Sequence, residues 1–336
     1  MNEIITLAHG SGGKLTHRLI SDLFYKYFRN DFLLEKGDSA VFAAEKGRIA
    51  FTTDSYVIYP YIFSGGNIGK LAVCGTVNDL AVSGAIPKYI SCGFIIEEGL
   101  ALSELEIIAQ SMADTAKKAG VSIVTGDTKV VPKGCADKIF INTSGIGFIH
   151  QGVELSGKKI SAGDKVILSG TMGDHGTAIL LERENLNVQS SISSDCAPLN
   201  LMLEPVIKSF SGAIRVMRDP TRGGVATTLN ELIAGSGLSI ELNENSMPVK
   251  EEVKGICEML GLDPLYMANE GKVLIIAESS RAEGIIEKLK ESPYGNDAAI
   301  IGIVTDTVPD KVYMSTLAGG NRIVDMLTGD QLPRIC

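Results

Sequence analysis

Residues 67–87 read NIGKLAVCGTVNDLAVSGAIP, a long apolar run thick with glycine and alanine that carries a polar Asn78–Asp79 pair near its end. The run is too long for one strand and is closed by Gly84 and Pro87, so it predicts a helix rich in small residues. Immediately after it, KYISCGFII (88–96) predicts a strand. SELEIIAQSMADTAKKAG (103–120) then predicts a helix started by Ser103 and stopped by Gly120. VSIVTGDTKVV (121–131) and KIFINTSGIGFI (138–149) predict two further strands. Upstream, KLTHRLISDLFYKYF (14–28) carries Leu15, Leu19, Ile20, Leu23 and Tyr27 at helical spacing. AVFAAEKGRIAFTTD (40–54) reads as two strands about a Glu-Lys-Gly turn.

A polar, glycine-containing stretch near 150–160 separates this half from a second mixture of elements. Strands are predicted over 164–170, 238–242, 272–278 and 297–305, and helices over 175–185, 223–237, 249–261 and 281–290. The alternation fits a two-layer α+β domain. The expected organisation is an α/β domain over 1–152, an α+β domain over 153–320, and a mobile tail over 321–336, where apolar periodicity ends.

Composition narrows the function. The 336 residues are 45% hydrophobic, enough for two domains. The formal net charge is −9, which argues against nucleic-acid binding, because a phosphate backbone requires a basic footprint. No apolar run approaches the ~18 residues of a membrane span, and MNEIITLAHG lacks the regions of a signal peptide. The six cysteines, at 74, 92, 135, 196, 257 and 336, include no C-x-x-C pair, and the four histidines add no ligand spacing. A reduced, cytoplasmic protein is expected. Cys74, Cys92 and Cys257 fall in apolar elements, and all the cysteines except Cys336 read as structural.

Five aspartates share one setting: Asp38 in KGDSAV, Asp54 in TTDSYV, Asp79 in VNDLAVSG, Asp127 in TGDTKVV and Asp219 in RDPTRGGV. Each has small or hydroxylated neighbours, and most stand at the end of a predicted strand or on a small-residue helix. Clustered carboxylates at loop ends suit Mg²⁺ bridging to a nucleotide phosphate. The nearby HGSGGK and TRGG loops can bring backbone N–H groups to phosphate oxygens. Solvated turn aspartates are the plainer alternative. Two nucleotide folds are set aside. A P-loop requires Gly and Ser/Thr where the chain has Ala8 and Leu15, and no G-x-G-x-x-G follows an early strand.

AHGSGGK (8–14), GDSAV (37–41), TTDSYV (52–57), the 65–87 run, SCGFIIEEG (91–99), GDTKVV (126–131), SGTMGDHG (169–176), RDPTRGGV (218–225), ANEGK (268–272) and the terminal PRIC resemble the HypE family of hydrogenase maturation proteins, along the whole chain and in one order. That family is similar to aminoimidazole ribonucleotide synthetase and selenophosphate synthetase. The resemblance implies a two-domain PurM-like ATP-binding fold with a flexible C-terminal tail, and a homodimer formed through a shared β-barrel. ATP with Mg²⁺ is then expected in the cleft between domains. It further implies that Cys336 receives a carbamoyl group from HypF, that ATP drives dehydration to a thiocyanate, and that the cyano group passes to iron on HypC–HypD.

On that resemblance, Asp38, Asp54, Asp79, Asp127 and Asp219 match metal and nucleotide positions. Lys14, Asn78 and Arg222 are candidates to touch nucleotide or phosphate, with a surface ion pair the alternative for Arg222. Glu270 and Lys129 are the candidates for proton transfer, against a structural ion pair. His9 and His175 read as hydrogen-bonding loop residues rather than catalysts. Selenophosphate synthetases keep their reactive cysteine in the N-terminal glycine loop, and HGSGGK has none. A non-enzymatic thiol carrier remains the other reading.

Overall fold

The computed structural model describes residues 4–11, 13–34, 39–43, 47–184 and 190–328. The chain opens with α1 (Lys14–Leu19), a π-helical turn (Ile20–Phe24), α2 (Tyr25–Phe28) and α3 (Asp31–Leu34). The first sheet region follows: β1 (Ile49–Tyr56), β2 (Ile62–Phe63), β3 (Gly66–Asn67), α4 (Ile68–Val82), β4 (Ala85–Glu97), α5 (Leu102–Ala119), β5 (Ser122–Val131) and β6 (Ile139–Ile149). The second contains β7 (Lys165–Leu168), α6 (Asp174–Arg183), α7 (Asn200–Phe210), β8 (Ile214–Arg218), α8 (Gly224–Ile233) and β9 (Ser239–Asn243). It continues through α9 (Glu251–Leu260), β10 (Leu274–Ala277), α10 (Ala282–Lys290), β11 (Ala299–Thr305), β12 (Lys311–Ser315) and β13 (Asn321–Val324).

The first sheet has the order β1-β6-β4-β5, so β1 and β5 are its two free edges. One face carries α4 and α5. Asn67 caps α4 by accepting from the N–H groups of Gly69 (2.9 Å) and Lys70 (3.0 Å). The small residues of α4 are required by its neighbours. A Cβ at Gly69 would stand 2.6 Å from the Ile108 carbonyl oxygen of α5, and one at Gly75 would overlap the Tyr56 hydroxyl. α5 begins after Ala101, with Ser103 inside it, and Gly120 ends it in the left-handed conformation (φ 71°).

The second sheet has the order β13-β12-β9-β11-β7-β10-β8. Its strands alternate between two cores. Ile167 and Ile275 face α7 and α10, while Val166, Leu168, Leu274 and Ile276 face α8. Helices therefore cover both faces of this sheet, one layer more than the two expected, and every residue of β10 is buried. Residues 39–43 form no strand, and among the described residues only the second arm of the expected 40–54 hairpin is present, as β1. The tail also begins later than its sequence suggests. Residues 321–324 pair with β12, bury Val324 and form the edge strand β13, and the Tyr266 hydroxyl donates to the Asp325 carbonyl oxygen at 2.9 Å. One buried side chain in an alternating edge strand leaves too weak a pattern to read from sequence.

Candidate active site

A cleft of about 1160 Å³ lies between the two sheets and is lined by Thr52, Asp79, Arg218, Asp219, Arg222 and Leu327, among others. The inward side of β1 supplies Thr52, Asp54 and Tyr56 in alternation. The Thr52 hydroxyl donates to Asp79 Oδ2 at 2.7 Å, fixing that carboxylate at the last turn of α4. Asp219 follows the end of β8, and Gly223 and Gly224 then turn the chain with φ of 70° and 61° into α8. A side chain at Gly224 would meet the Leu265 carbonyl oxygen at 2.5 Å, so the TRGG turn needs glycine both for its conformation and for its packing.

The electrostatics of this cleft favour a cation. Burial, then the Asp79 charge, pushes Asp219 up to about 7. Asp79 is itself raised by burial, with Asp54 adding to the effect and Arg218 and Arg222 opposing it. Asp54, Asp79 and Asp219 are thus one interacting set. Among the described residues, no three His, Cys, Asp or Glu side chains group closely enough to hold a metal ion by themselves. These hard, mutually repelling carboxylates fit a divalent cation whose remaining ligands come from phosphate oxygens or water.

Asp127 is elsewhere. It stands on β5, at the opposite edge of the sheet from β1, paired with Lys129 at 2.9 Å, and both side chains are exposed. The Lys129 ammonium holds the Asp127 carboxyl below its usual range. Lys129 is thus held in an exposed ion pair with Asp127, and within one chain it does not join the Glu270 surroundings. Lys14 is exposed at the start of α1, after a turn whose Gly10 packs on Val130 of β5. Asp127 also borders a smaller cavity of about 210 Å³ walled by Phe24, Phe28, Phe32 and Phe94. Similar sequence contexts could not reveal that β1 and β5 end on different edges. Asp38 and Cys336 lie outside the described residues.

Asn78 does not face the cleft. It is buried, and its side-chain amide is consumed within the protein. Nδ2 donates to the carbonyl oxygens of Ala197 (3.1 Å) and Glu270 (3.3 Å), and Oδ1 accepts from Leu199 N–H (2.8 Å). Both Nδ2 hydrogens are spent, so the expected nucleotide contact is replaced by a tie between the two halves of the chain.

Glu270 is buried, 3% exposed, in the segment before β10. Its N–H donates to Asp195 Oδ1 (3.0 Å), whose other oxygen pairs with Lys272 Nζ (3.0 Å). A side chain at Gly271 would overlap the Asp195 carbonyl, which accounts for the glycine in ANEGK. Glu270 Oε1 has no hydrogen-bond partner. Burial, then Cys196, Asp219, Asp195 and Asp54, raises the Glu270 carboxyl well above its ordinary range, as an internal proton acceptor requires. Sequence reasoning missed the buried Asp195–Lys272 pair and Tyr56. Lys272 lies two residues beyond Glu270, and Asp195 has the same small, polar neighbours as the five aspartates, so both signals were available.

His9 hydrogen-bonds to Thr6 Oγ1 (3.0 Å) as expected of a loop residue, whereas His175 lies buried in the first turn of α6 rather than in a loop, and its Nδ1 hydrogen-bonds to Ser194 Oγ (2.8 Å) 19 residues away. Cys74, Cys92, Cys196 and Cys257 are buried. Cys135 is exposed on the β5–β6 connection, where no apolar pattern surrounds it, and so departs from the structural reading.

The family model described as AIR synthase related protein, N-terminal domain, matches residues 36–149, and that for the C-terminal domain matches residues 161–315. The carbamoyl dehydratase HypE of Bradyrhizobium diazoefficiens is 48% identical over 335 residues, covering 100% of this chain and 97% of the relative. The chain belongs to the HypE family. The crystal structure of hydrogenase maturation protein HypE in complex with ATP superposes with a TM-score of 0.94 at 48% identity, covering 98% of this chain and 99% of that one. The HypE chain of a HypE–HypF complex superposes with a TM-score of 0.81 at 48% identity, covering 92% and 99%. The two-domain PurM-like fold of the HypE family is thus the fold of this chain.

Proposed function

We propose that this protein is an ATP-dependent carbamoyl dehydratase that converts an S-carbamoyl group on Cys336 to a thiocyanate for the iron of a [NiFe]-hydrogenase. The observation that carries this reading is the position of Leu327. Its N–H donates to Thr227 Oγ1 at 3.4 Å, and it lines the cleft that holds Asp79, Asp219 and Arg222. Eight residues, hence nine residue steps, separate it from Cys336, a reach of up to ~30 Å. The thiol can therefore be loaded outside and then returned to the cleft.

The amide oxygen of S–C(=O)–NH2 is a poor leaving group. Transfer of the ATP γ-phosphoryl to that oxygen gives S–C(=NH)–OPO3²⁻ and ADP, with loss of one N–H proton. Removal of the second N–H proton, as the C–O bond breaks and phosphate departs, leaves S–C≡N. Phosphoryl transfer requires positioned charge rather than covalent help. Asp79 and Asp219 would hold Mg²⁺, with Asp54 supporting them, and Arg222 would offset phosphate charge from the cleft wall. When bound, Mg²⁺ neutralises the phosphate oxygens. Glu270 takes the N–H proton.

The β1 and β5 edges support a homodimer. Pairing β1 of one copy with β5 of another would close the two four-stranded sheets into a barrel over the exposed Ile49, Phe51 and Ile95. That pairing would carry Asp127, Lys129 and Lys14 of one copy towards the cluster of the other. Relatives crystallised with ATP and with HypF support both as ligand and partner, and delivery would be to HypC–HypD. The free thiols among the described residues suit the reducing cytoplasm. No described helix is long and apolar enough to cross a membrane.

Intact-protein mass spectrometry is the test. Incubation with HypF, carbamoyl phosphate and ATP should add a carbamoyl group to Cys336, followed by loss of the mass of one water. Cys336→Ala should still bind ATP and show neither change. Modification at another cysteine, or ATP turnover indifferent to carbamoylation, would remove the dehydratase reading.

A further inference from the structure

Residues 194–199 lie between α6 and α7 and touch both halves of the chain. The Ser194 N–H donates to the Ser64 carbonyl oxygen at 2.9 Å. The Ser194 hydroxyl accepts from the Cys196 N–H at 3.1 Å and meets His175 Nδ1 at 2.8 Å. Asn78 of α4 then engages the Ala197 carbonyl oxygen and the Leu199 N–H. Asp195 is fixed in the middle of this frame, and its side chain clasps the segment about Gly271 from both flanks. Oδ1 accepts from the Glu270 N–H, and Oδ2 meets Lys272 Nζ, each at 3.0 Å. A Cβ at Gly271 would stand 1.9 Å from the Asp195 carbonyl oxygen, and one at Gly170 would stand 2.9 Å from Lys272 Cε. Gly271 is therefore required for the clasp, and Gly170 makes room for the Lys272 stem. The Glu270 carbonyl oxygen is held separately, by Asn78 Nδ2 at 3.3 Å.

The Asp195 and Lys272 side chains are only 3% and 10% exposed. A buried ion pair is a poor source of stability, since desolvation of the two charges offsets most of their attraction. An asparagine would accept from the Glu270 N–H without that cost. What the anion adds is a charge-assisted hydrogen bond, stronger than a neutral one. Both main-chain polar groups of Glu270 are thereby tied, which leaves its carboxylate only side-chain rotations. We propose that Asp195 is a positioning residue for dehydration, with Lys272 balancing its charge: it fixes the main chain at Glu270 so that the carboxylate meets the substrate N–H in one place. The proposal rests on the reading of Glu270 as proton acceptor. A displacement of about 1 Å at a reacting group costs on the order of 10²-fold in rate, so a clasp that does not touch the substrate can govern the step.

The measurement is single-turnover dehydration of S-carbamoylated protein, read as loss of one water by mass spectrometry, with the KM for ATP and the apoprotein Tm alongside. Double variants remove the two buried charges together, so that neither is left unpaired. Asp195→Ala with Lys272→Met removes the acceptor for the Glu270 N–H. It should slow dehydration by about 10²-fold and leave the KM for ATP within about twofold. Asp195→Leu with Lys272→Met fills the same space with apolar groups, keeps the fold and should be equally slow. Asp195→Asn with Lys272→Met restores a neutral acceptor and should recover the rate to within about tenfold of wild type. A role in stability alone would lower Tm and leave the rate of the folded protein unchanged. Glu270→Gln should slow dehydration by about 10²- to 10⁴-fold. In that background the alanine or leucine pair should change the rate less than about twofold, because no base remains to be placed. Wild-type dehydration in the alanine or leucine pair, no recovery in the asparagine pair, or slowing that multiplies with that of Glu270→Gln overturns the role of Asp195 while leaving Glu270 as the base. Glu270→Gln at the wild-type rate instead overturns the reading beneath it.

Discussion

The side chain of Asn78 donates a 3.3 Å hydrogen bond to the carbonyl oxygen of Glu270, tying α4 of the first sheet to the segment that enters β10 of the second. Its sequence neighbour Asp79 points into the cleft. Two adjacent residues on one helix thus register Glu270, the proposed proton acceptor, against the carboxylates that would meet the nucleotide. The register depends on α4 being buried on nearly all sides, which its small residues allow.

Replacing Asn78 by Ala should therefore impair the site without touching the nucleotide. The change strands the Leu199 N–H and two carbonyl oxygens in the interior, a cost of about 1–3 kcal/mol for a buried group left unsatisfied. Denaturant melts should show the loss, and dehydration should slow while ATP binding by calorimetry stays near wild type. A selective loss of ATP affinity would restore Asn78 as a nucleotide ligand.

Much of the architecture was legible because period and punctuation were strong. Leu15 to Tyr27 gave a helix interrupted only by a π turn, and Gly120 marked the stop of α5. α7 was not read, and Pro205 in its interior is the reason, since a proline there usually argues against a helix. Asp54, Asp79 and Asp219 were recognisable as carboxylates at element ends. That Asp127 lies on the other sheet edge depends on strand order, which no local pattern encodes. Tyr56 gave no signal either, because an aromatic residue in an alternating strand reads as core and only its unpartnered hydroxyl sets it apart.

The carboxylate cluster gives the stability of the nucleotide-free protein a pH signature. Asp219 titrates at about 7 in the folded chain, against ~3.9 when unfolded. Between these values the folded state holds more protons than the unfolded one, so this group's contribution to stability falls as pH rises from about 4 to 7. Above 7 the penalty is complete. Asp219→Asn should flatten that decline and raise Tm at pH 8. Asp219→Ala and Asp79→Ala should each fold yet abolish Mg²⁺-dependent ATP turnover, because neither carboxylate belongs to the apolar core. An unchanged pH–Tm profile in Asp219→Asn would show that Asp219 does not titrate in this range. Unchanged turnover in both alanine variants would remove the metal assignment.

The reach of the tail is fixed at its start by the pairing of β12 with β13, the Tyr266 hydrogen bond to Asp325 and the seat of Leu327 in the cleft wall. From Leu327, nine residue steps lead to Cys336, so the thiol can travel at most ~30 Å. In the proposed mechanism, loading and delivery require it outside, whereas dehydration requires it beside Glu270. Deleting Gly329 to Leu332 leaves five steps, or ~17 Å. The shortened protein should keep its Tm, because the deletion leaves intact the contacts of β13, Asp325 and Leu327. It should still accept a carbamoyl group from HypF, which can approach the thiol from solvent, while dehydration by mass spectrometry should fall sharply. Inserting four glycines in place of the deleted residues should restore it, since span rather than side-chain chemistry is what the step consumes. If the shortened chain dehydrates at the full rate, the cleft wall at Leu327 is not where the journey of the thiol begins.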